Sequence, residues 1–132
     1  MHYVDMSRHM ESSDAIAALG ALAQATRLDV FRFAVSAYPD ALGAGEFARR
    51  CEVPHNTMST HLAILTRAGL LAVERDGRAM RYRFRLEGFR GLMKFLSGDC
   101  CGSRPEICAP LLADLAPCCP PKRRSQRVRP SA

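Results

Sequence analysis

The stretch of residues 53–71 constrains the fold of this chain more than any other. Three apolar residues recur within it at the spacing of one helical face: Met58, Leu62 and Leu65. Pro54 suits a helix start, since the amide hydrogen that proline lacks would stay unpaired there, and Gly69 suits the stop. A shorter helical segment, Gly45 to Arg50, precedes this helix across a tight connection. Such a pair is typical of a helix-turn-helix, and the alternative is an ordinary core helix with a wet face.

The segment that follows changes its hydrophobic period from helical to alternating. Leu71–Arg75 and Ala79–Leu86 predict two strands, and the Asp76-Gly77-Arg78 connection is a strong hairpin signal. In the second strand apolar residues alternate with three arginines: Arg81, Arg83 and Arg85. These arginines suit a ribbon that lies along phosphates, although an edge strand protected by charge is the alternative. The conjunction predicts a mainly α (α+β) fold, a winged helix-turn-helix with a two-stranded β-hairpin wing.

Length and charge set the class of protein and of partner. The chain has 132 residues, of which 48% are hydrophobic, enough for one domain with an ordinary core. Its formal net charge of +6 favours a polyanionic partner such as double-stranded DNA. No run has the length of a membrane-spanning helix and no signal peptide opens the chain, so we expect a cytoplasmic protein without a membrane partner.

The remaining pattern predicts four regions. Residues 1–12 form a flexible N-terminus, 13–98 the winged-helix DNA-binding and dimerisation domain, 99–119 a cysteine-rich inducer-binding segment, and 120–132 a basic disordered tail. In the domain, Ile16 and Leu19 are expected to face inward from a first helix. A second helix is expected to bury one stripe: Leu28, Phe31 and Val35. A last helix, Glu87–Leu96, carries an apolar stripe that suits either a dimer interface or packing within the chain.

Taken together, these residues resemble the ArsR/SmtB family of bacterial metalloregulatory repressors over roughly residues 13–108. The matching motifs are Leu19–Leu28 with the following Phe31, Ser59–Leu62 with Leu65, Ala68–Leu70, and the wing turn Asp76–Arg78. The resemblance implies a homodimer, joined through terminal helices, that represses a resistance operon and leaves its operator DNA when an inducer binds. It places these residues on DNA: Asn56, Thr57, Ser59, Thr60 and His61, with the wing arginines Arg78, Arg81 and Arg83 on the backbone. Arg67 lies on a free face of the same helix, and His61 has a second interpretation, a hydrogen bond to the protein's own backbone.

Both inducer sites known in this family are missing from the expected positions. The aligned run Glu46–Cys51 lacks the cysteine pair of the family's arsenic site, and residues 87–96 contain no histidine for its zinc site. Cys100, Cys101 and Cys108 are the natural replacement, because soft thiolates select trivalent arsenic or antimony over hard cations. The spacing of these cysteines resembles a variant arsenic site at the C-terminal end of some family members.

Three other interpretations of the cysteines stay open. Zinc prefers four ligands, commonly in spaced Cys-x-x-Cys pairs, and the chain has no such spacing. The cysteines can also act as a redox switch by forming a disulfide, although a disulfide between adjacent residues would be strained. A cysteine-based arsenate reductase would need an anion-binding loop beside its nucleophile, and the sequence contains neither a phosphate loop nor a Cys-x-x-Cys pair. The sequence therefore favours a repressor over an enzyme.

Overall fold

The helix-turn-helix and the wing form where the sequence predicts them. The computed structural model describes residues 10–99 and 104–118, and the chain divides after Phe95 into two compact units. The elements are α1 (Ser12–Leu22), α2 (Ala25–Ala37), β1 (Leu42–Gly43), α3 (Ala44–Cys51), α4 (His55–Arg67), β2 (Leu71–Asp76), β3 (Ala79–Phe84), α5 (Leu86–Lys94), a π-helical turn (Phe95–Asp99) and α6 (Pro105–Cys118).

Helix α1 buries a different face from the one predicted. Ile16 is 69% exposed and Leu19 43% exposed, so the expectation that they face inward is wrong. The inward face consists of alanines at a spacing of three: Ala15, Ala18 and Ala21. Alanine side chains are small and let neighbouring helices approach closely. A prediction from the hydrophobicity of single residues instead favours burial of the larger Ile16 and Leu19. Glu11 is the N-cap of α1, and it forms a capping box with Asp14.

Helix α2 buries Phe31 as predicted but not the rest of the expected stripe. Leu28 and Val35 are each 42% exposed, and Val30 and Ala34 are buried beside Phe31 instead. The three buried residues still follow helical spacing, but the stripe is rotated by part of a turn. Hydrophobic periodicity therefore finds the helix correctly and fixes its orientation only approximately.

Helix α4 is anchored by the apolar face that the sequence predicts. Met58, Leu62 and Leu65 are 0% exposed. The helix ends at Gly69, whose φ of 85° lies in the left-handed region that favours glycine. The amide of Gly69 donates to the carbonyl of Thr66 and that of Leu70 donates to Leu65, the two bonds of a Schellman motif. This motif directs the chain straight from α4, the second helix of the helix-turn-helix, into β2.

The wing contains one strand more than predicted. The sheet is antiparallel with the order β1-β3-β2, and Leu42 and Gly43 pair with Tyr82 and Arg81. The short segment before α3 therefore forms an edge strand of the sheet. The predicted strand end at Leu86 is also too long, because Leu86 begins α5.

An aromatic cluster holds α2, β3 and α5 together. Phe31 meets Phe84 edge-to-face with ring centroids 5.6 Å apart, and Phe89 lies 5.8 Å from both rings. Tyr38 meets Phe84 at 5.5 Å. Such pairs add to the free energy gained by burial. Phe89 and the buried Leu92 thus pack within the chain, whereas Met93 on the same helix is 37% exposed.

Ordered structure extends further at both ends than the sequence predicts. Met10 is 4% exposed and α1 begins at Ser12, before the expected domain start at residue 13. Within the cysteine-rich segment 99–119, helix α6 begins at Pro105, and proline is favoured at a first helical position. Residues 1–9 of the expected flexible N-terminus and the expected basic tail 120–132 lie outside the described residues. In the described ranges no helix is long and apolar enough to span a membrane.

Candidate nucleic-acid interface

The turn between α3 and α4 sets the angle at which the second helix is presented. Glu52 adopts a left-handed conformation with φ of 58°, and the amide of Val53 donates to the carbonyl of Ala48 at 3.0 Å. Acidic and amide side chains tolerate this conformation less well than glycine, so a non-glycine residue here is uncommon. The turn places α4 across α3 as the second helix of a helix-turn-helix.

The outer face of α4 carries the polar side chains that the sequence assigned to DNA. Asn56, Thr57, Thr60 and Arg67 are exposed, and Ser59 is half-buried. Their hydrogen bonds are local: the Asn56 side-chain oxygen accepts from the amide of Thr57 at 3.0 Å, and the Thr60 hydroxyl donates to the Asn56 carbonyl at 3.4 Å. Bonds within one helix leave these groups on the surface, where a DNA base or phosphate can replace them.

His61 has a different position from the other predicted DNA contacts. It is half-buried, and its Nδ1 lies 3.4 Å from a guanidinium nitrogen of Arg27 on α2. Burial lowers the pKa of His61, and the positive charge of Arg27 lowers it further. The partner is therefore a side chain of a neighbouring helix, not the backbone.

The wing arginines are tied to the protein to different degrees. Arg81 donates to the carbonyl of Ala41, and Arg83 forms an ion pair of 3.0 Å with Glu74 on the adjacent strand. Arg78, in the hairpin turn, is exposed. Alternation correctly places the arginines along one strand, but two of the three predicted wing contacts already have intramolecular partners.

The root of the wing is packed tightly against the end of the recognition helix. A Cβ on Gly88 would lie 1.8 Å from the carbonyl oxygen of Gly69, so α5 can approach this point only with glycine there. Arg85 donates to the same carbonyl at 3.5 Å. The end of α4, the start of β2 and the start of α5 therefore form one rigid junction.

The predicted metal ligands are only partly within the described residues. Cys100 and Cys101 lie outside them, and Cys108 is the fourth residue of α6. In residues 10–99 and 104–118 no three metal-binding side chains of the His, Cys, Asp and Glu types come together. The structure thus gives the position of one ligand of the predicted site along the backbone.

Cys51 lies apart in the helix-turn-helix, at the end of α3. Its thiol is half-buried and borders an open cavity of about 420 Å³ between α2 and α3. Burial raises the pKa of Cys51, and the nearby carboxylate of Asp29 raises it further. The thiol is therefore protonated at neutral pH, which makes Cys51 a poor metal ligand and nucleophile.

Sequence reasoning missed two residues that control this surface. Arg27 on α2 is half-buried and contacts His61 of the recognition helix. No sequence signal marks it, since the contact joins residues 34 positions apart. Glu74 was given no role, although it pairs in register with Arg81 and so lies diagonally across from Arg83. Opposite charges at diagonal positions of a hairpin could have indicated this ion pair.

Comparisons with known proteins agree with this architecture. The model of a helix-turn-helix domain family matches residues 22–74. No curated protein matches the chain. Among solved structures, an ArsR-like transcriptional regulator from Rhodococcus sp. RHA1 is 20% identical, with a TM-score of 0.60 over 79% of this chain and 93% of that one. A possible transcriptional regulator for arsenical resistance is 26% identical, with a TM-score of 0.54 over 73% of this chain and 93% of that one.

A third similar structure is described as a homodimer. It is the homodimeric winged helix-turn-helix domain of a possible ArsR-family regulator from Mycobacterium bovis, 18% identical, with a TM-score of 0.54 over 79% of this chain and 82% of that one. These three neighbours are described as transcriptional regulators or possible transcriptional regulators. With its exposed recognition helix and basic wing, the chain is a DNA-binding transcriptional regulator whose winged helix-turn-helix resembles that of ArsR-type regulators.

Proposed function

We propose that this regulator represses an arsenic resistance operon and leaves its operator DNA when trivalent arsenic, or antimony, binds Cys100, Cys101 and Cys108. The observation that carries the proposal is the presence of three cysteines within nine residues of sequence, next to a helix-turn-helix domain. One structural neighbour that is 26% identical, a possible transcriptional regulator for arsenical resistance, supports the same assignment.

The chemistry of three thiolates favours a soft, three-coordinate centre. Trivalent arsenic and antimony bind three sulfurs in a pyramid, whereas structural zinc takes four ligands. The cluster offers a donor set of the first kind. Arsenite and antimonite are therefore the inducers expected, and zinc is the main competitor to test.

The backbone of α6 narrows the choice of ligands within one chain. Cys108 lies in the first turn of α6 and Cys118 is its last residue. Ten residues of helix separate the two positions by about 15 Å along the axis. Cysteines of one chain so far apart along a straight helix cannot share a single metalloid ion. Cys118 is therefore assigned no role in a site that contains Cys108 of the same chain.

In this proposal the inducer acts through the start of α6. Binding draws Cys108 toward Cys100 and Cys101, and so changes the backbone that leads from α5 into α6. An inducer releases DNA only if it binds the DNA-free form more tightly than the DNA-bound form. Restraining this segment supplies such a difference if the operator-bound dimer needs it in another conformation.

A homodimer through terminal helices is part of the proposal. Helix α1 presents Ile16, 69% exposed, and Leu19, 43% exposed, on its outer side. Large apolar side chains exposed on one helix are typical of an interaction surface. In a two-fold dimer the two recognition helices would fit successive major grooves.

Replacing Ile16→Glu should give a monomer by sedimentation and abolish tight operator binding. Val35→Glu on α2, equally apolar before the change and 42% exposed, is the matched control and should remain dimeric.

The inducer is tested by fluorescence anisotropy of the reduced protein on DNA from upstream of its own gene. We expect arsenite to release the DNA at low equivalents, and zinc to do so only weakly. A Cys108→Ser variant should bind DNA normally and lose the response to arsenite. Cys51→Ser, which removes a thiol outside the cluster, should respond as the wild type does.

Three outcomes would contradict the proposal. Release by zinc or by an oxidant alone would replace arsenic with another inducer. If the Cys51→Ser variant loses the response to arsenite and the Cys108→Ser variant keeps it, the arsenite site contains Cys51 and not Cys108. Loss of DNA binding in Cys108→Ser would show that the cysteine segment is not separate from the DNA-binding function.

A further inference from the structure

Arg27 joins three helices at the inner side of the recognition helix. Its Nε donates to the carbonyl of Ala21 on α1 at 2.7 Å, and its own amide donates to the Gln24 side chain at 2.9 Å. A terminal nitrogen of the same guanidinium lies 3.4 Å from Nδ1 of His61 on α4. Because the Nε bond fixes the plane of the guanidinium, the nitrogen that faces His61 is also fixed in direction.

The chemistry of this pair determines the state of His61. A guanidinium can only donate hydrogen bonds and stays charged, so Nδ1 must act as the acceptor. His61 is then neutral and carries its proton on Nε2. A proton on Nδ1 would remove the acceptor and place a second positive charge beside Arg27.

We propose that Arg27 is a positioning residue for DNA binding, which fixes the recognition helix through neutral His61, and that protonation of His61 releases this hold. Helix α4 carries Asn56 and Thr60 on its outer face, and a rigid helix transmits any shift at His61 to them. Base recognition depends on side-chain positions held to about 0.5 Å. The proposal rests on DNA binding by the helix-turn-helix and is independent of the identity of the inducer.

Among the charged side chains on the elements around His61, Arg27 is the one whose charge affects the pKa of His61. Helix α4 packs against α1, α2, α3 and β2. Other charged side chains on those elements are Asp14, Asp29, Arg32, Glu46, Arg49, Arg50, Glu74, Arg75 and Asp76. Burial, and then Arg27, moves the pKa of His61 below its usual value. Protonation of His61 is therefore opposed both by its burial and by the positive charge of Arg27.

The sign of the pH dependence separates positioning from a direct DNA contact. A histidine that meets phosphate binds DNA more tightly when it is protonated, because its positive charge faces the polyanion. A histidine that positions the helix in its neutral form does the opposite. Acidification should therefore weaken operator binding if the proposal is correct.

The experiment measures operator affinity of the full chain by fluorescence anisotropy, without inducer and at constant ionic strength. From about pH 7.5 to about pH 5.5, across the ordinary histidine range, we expect the wild type to lose affinity at least about threefold. His61→Asn puts a non-titrating oxygen acceptor near the position of Nδ1, so its affinity should show no such step. The variant also separates His61 from the exposed His55 at the start of α4.

A second measurement follows His61 directly by NMR titration of its imidazole nitrogens. In the wild type we expect a proton on Nε2 and a pKa below the ordinary value. Arg27→Gln should raise that pKa and weaken operator binding at about pH 7.5. Arg32→Gln removes the same charge from an exposed site on α2 and should leave the His61 pKa unchanged.

Several results would overturn the proposal. Tighter operator binding at acid pH that is lost in His61→Asn would make His61 a phosphate contact. Unchanged operator affinity across the pH range in which the NMR titration shows His61 gaining its proton would also refute it. A neutral His61 with its proton on Nδ1 would refute it as well, even if Arg27→Gln fails to fold. Absence of operator binding at about pH 7.5 would instead refute DNA binding itself, so the two failures are distinguishable.

Discussion

The recognition helix and the wing both carry polar residues that we expect to contact DNA, but they hold them in different ways. On α4 the hydrogen bonds of Asn56 and Thr60 stay within the helix itself. In the wing, Arg81 is bound to the carbonyl of Ala41 and Arg83 to the carboxylate of Glu74. The helix thus presents groups with easily replaced local bonds, whereas the wing presents charges that are partly neutralised within the protein.

This difference shows that the number of arginines along a strand does not equal the number that are free to bind phosphate. Three arginines on one side of a strand suggest three phosphate contacts. The carboxylate of Glu74 and the backbone carbonyl of Ala41 are enough to reduce that number, because each already binds one of these arginines. We therefore expect the helix to supply sequence discrimination and the wing turn, with the exposed Arg78, to supply most of the wing's salt-dependent affinity.

The largest effect is expected where the two regions join. Gly88→Ala places a methyl group against the Gly69 carbonyl and should lower the free energy of unfolding by about 3 kcal/mol, as overpacking against rigid backbone does. Urea denaturation measures this. Gly20→Ala, where the added Cβ has no neighbour within 4 Å, is the control and should stabilise α1 by up to about 1 kcal/mol. Equal stabilities of the Gly88→Ala variant and the wild type would show that helix and wing are not rigidly joined.

A base contact on the recognition helix should have the next largest effect. Asn56→Ala removes an exposed amide near the start of α4, where recognition helices reach base edges. Operator affinity should fall by about 1–3 kcal/mol, while affinity for unrelated DNA stays the same. Anisotropy with the two DNAs measures the ratio. A similar loss on both would assign Asn56 to phosphate and weaken the contrast between helix and wing.

The wing arginines should differ from one another. Arg78→Gln should lower affinity on any sequence and reduce the slope of binding against salt by about one, since an exposed arginine neutralises one phosphate. Arg83→Gln should have less effect, because Arg83 is already paired with Glu74. Glu74→Gln should free Arg83 and strengthen binding at low salt. Equal losses for the two arginine variants would mean that the ion pair opens on DNA at little cost.

The smallest effect concerns stability and pH, and it belongs to the recognition helix alone. The pKa of His61 is lowered in the folded chain, so the unfolded chain takes up this proton more readily. The free energy of unfolding should therefore decrease as pH falls from about 6.5 through the folded-state pKa. Thermal melts of wild type and His61→Asn across this range measure the difference.

Sequence patterns predicted the helix-turn-helix and the hairpin well because these elements depend on local signals. The helix stop at Gly69 and the hairpin at Asp76–Gly77 follow from backbone conformations that few residues accept. The face buried by α1 was predicted wrongly, since Ala15 and Ala18 are selected by close helix packing and not by hydrophobicity. For the candidate site, sequence placed Asn56 and Thr60 on the exposed face of α4.

By itself, the sequence determined the class of this protein: a winged helix with a basic hairpin and a cysteine cluster beyond it. Periodicity, turn residues and charge are properties of neighbouring residues, so they can be read along the chain. The tertiary structure decided which side chains are available. The pairing of Arg27 with His61 and the close approach of Gly88 to Gly69 join positions far apart in sequence. Such contacts depend on how helices pack in three dimensions, and no local pattern encodes them.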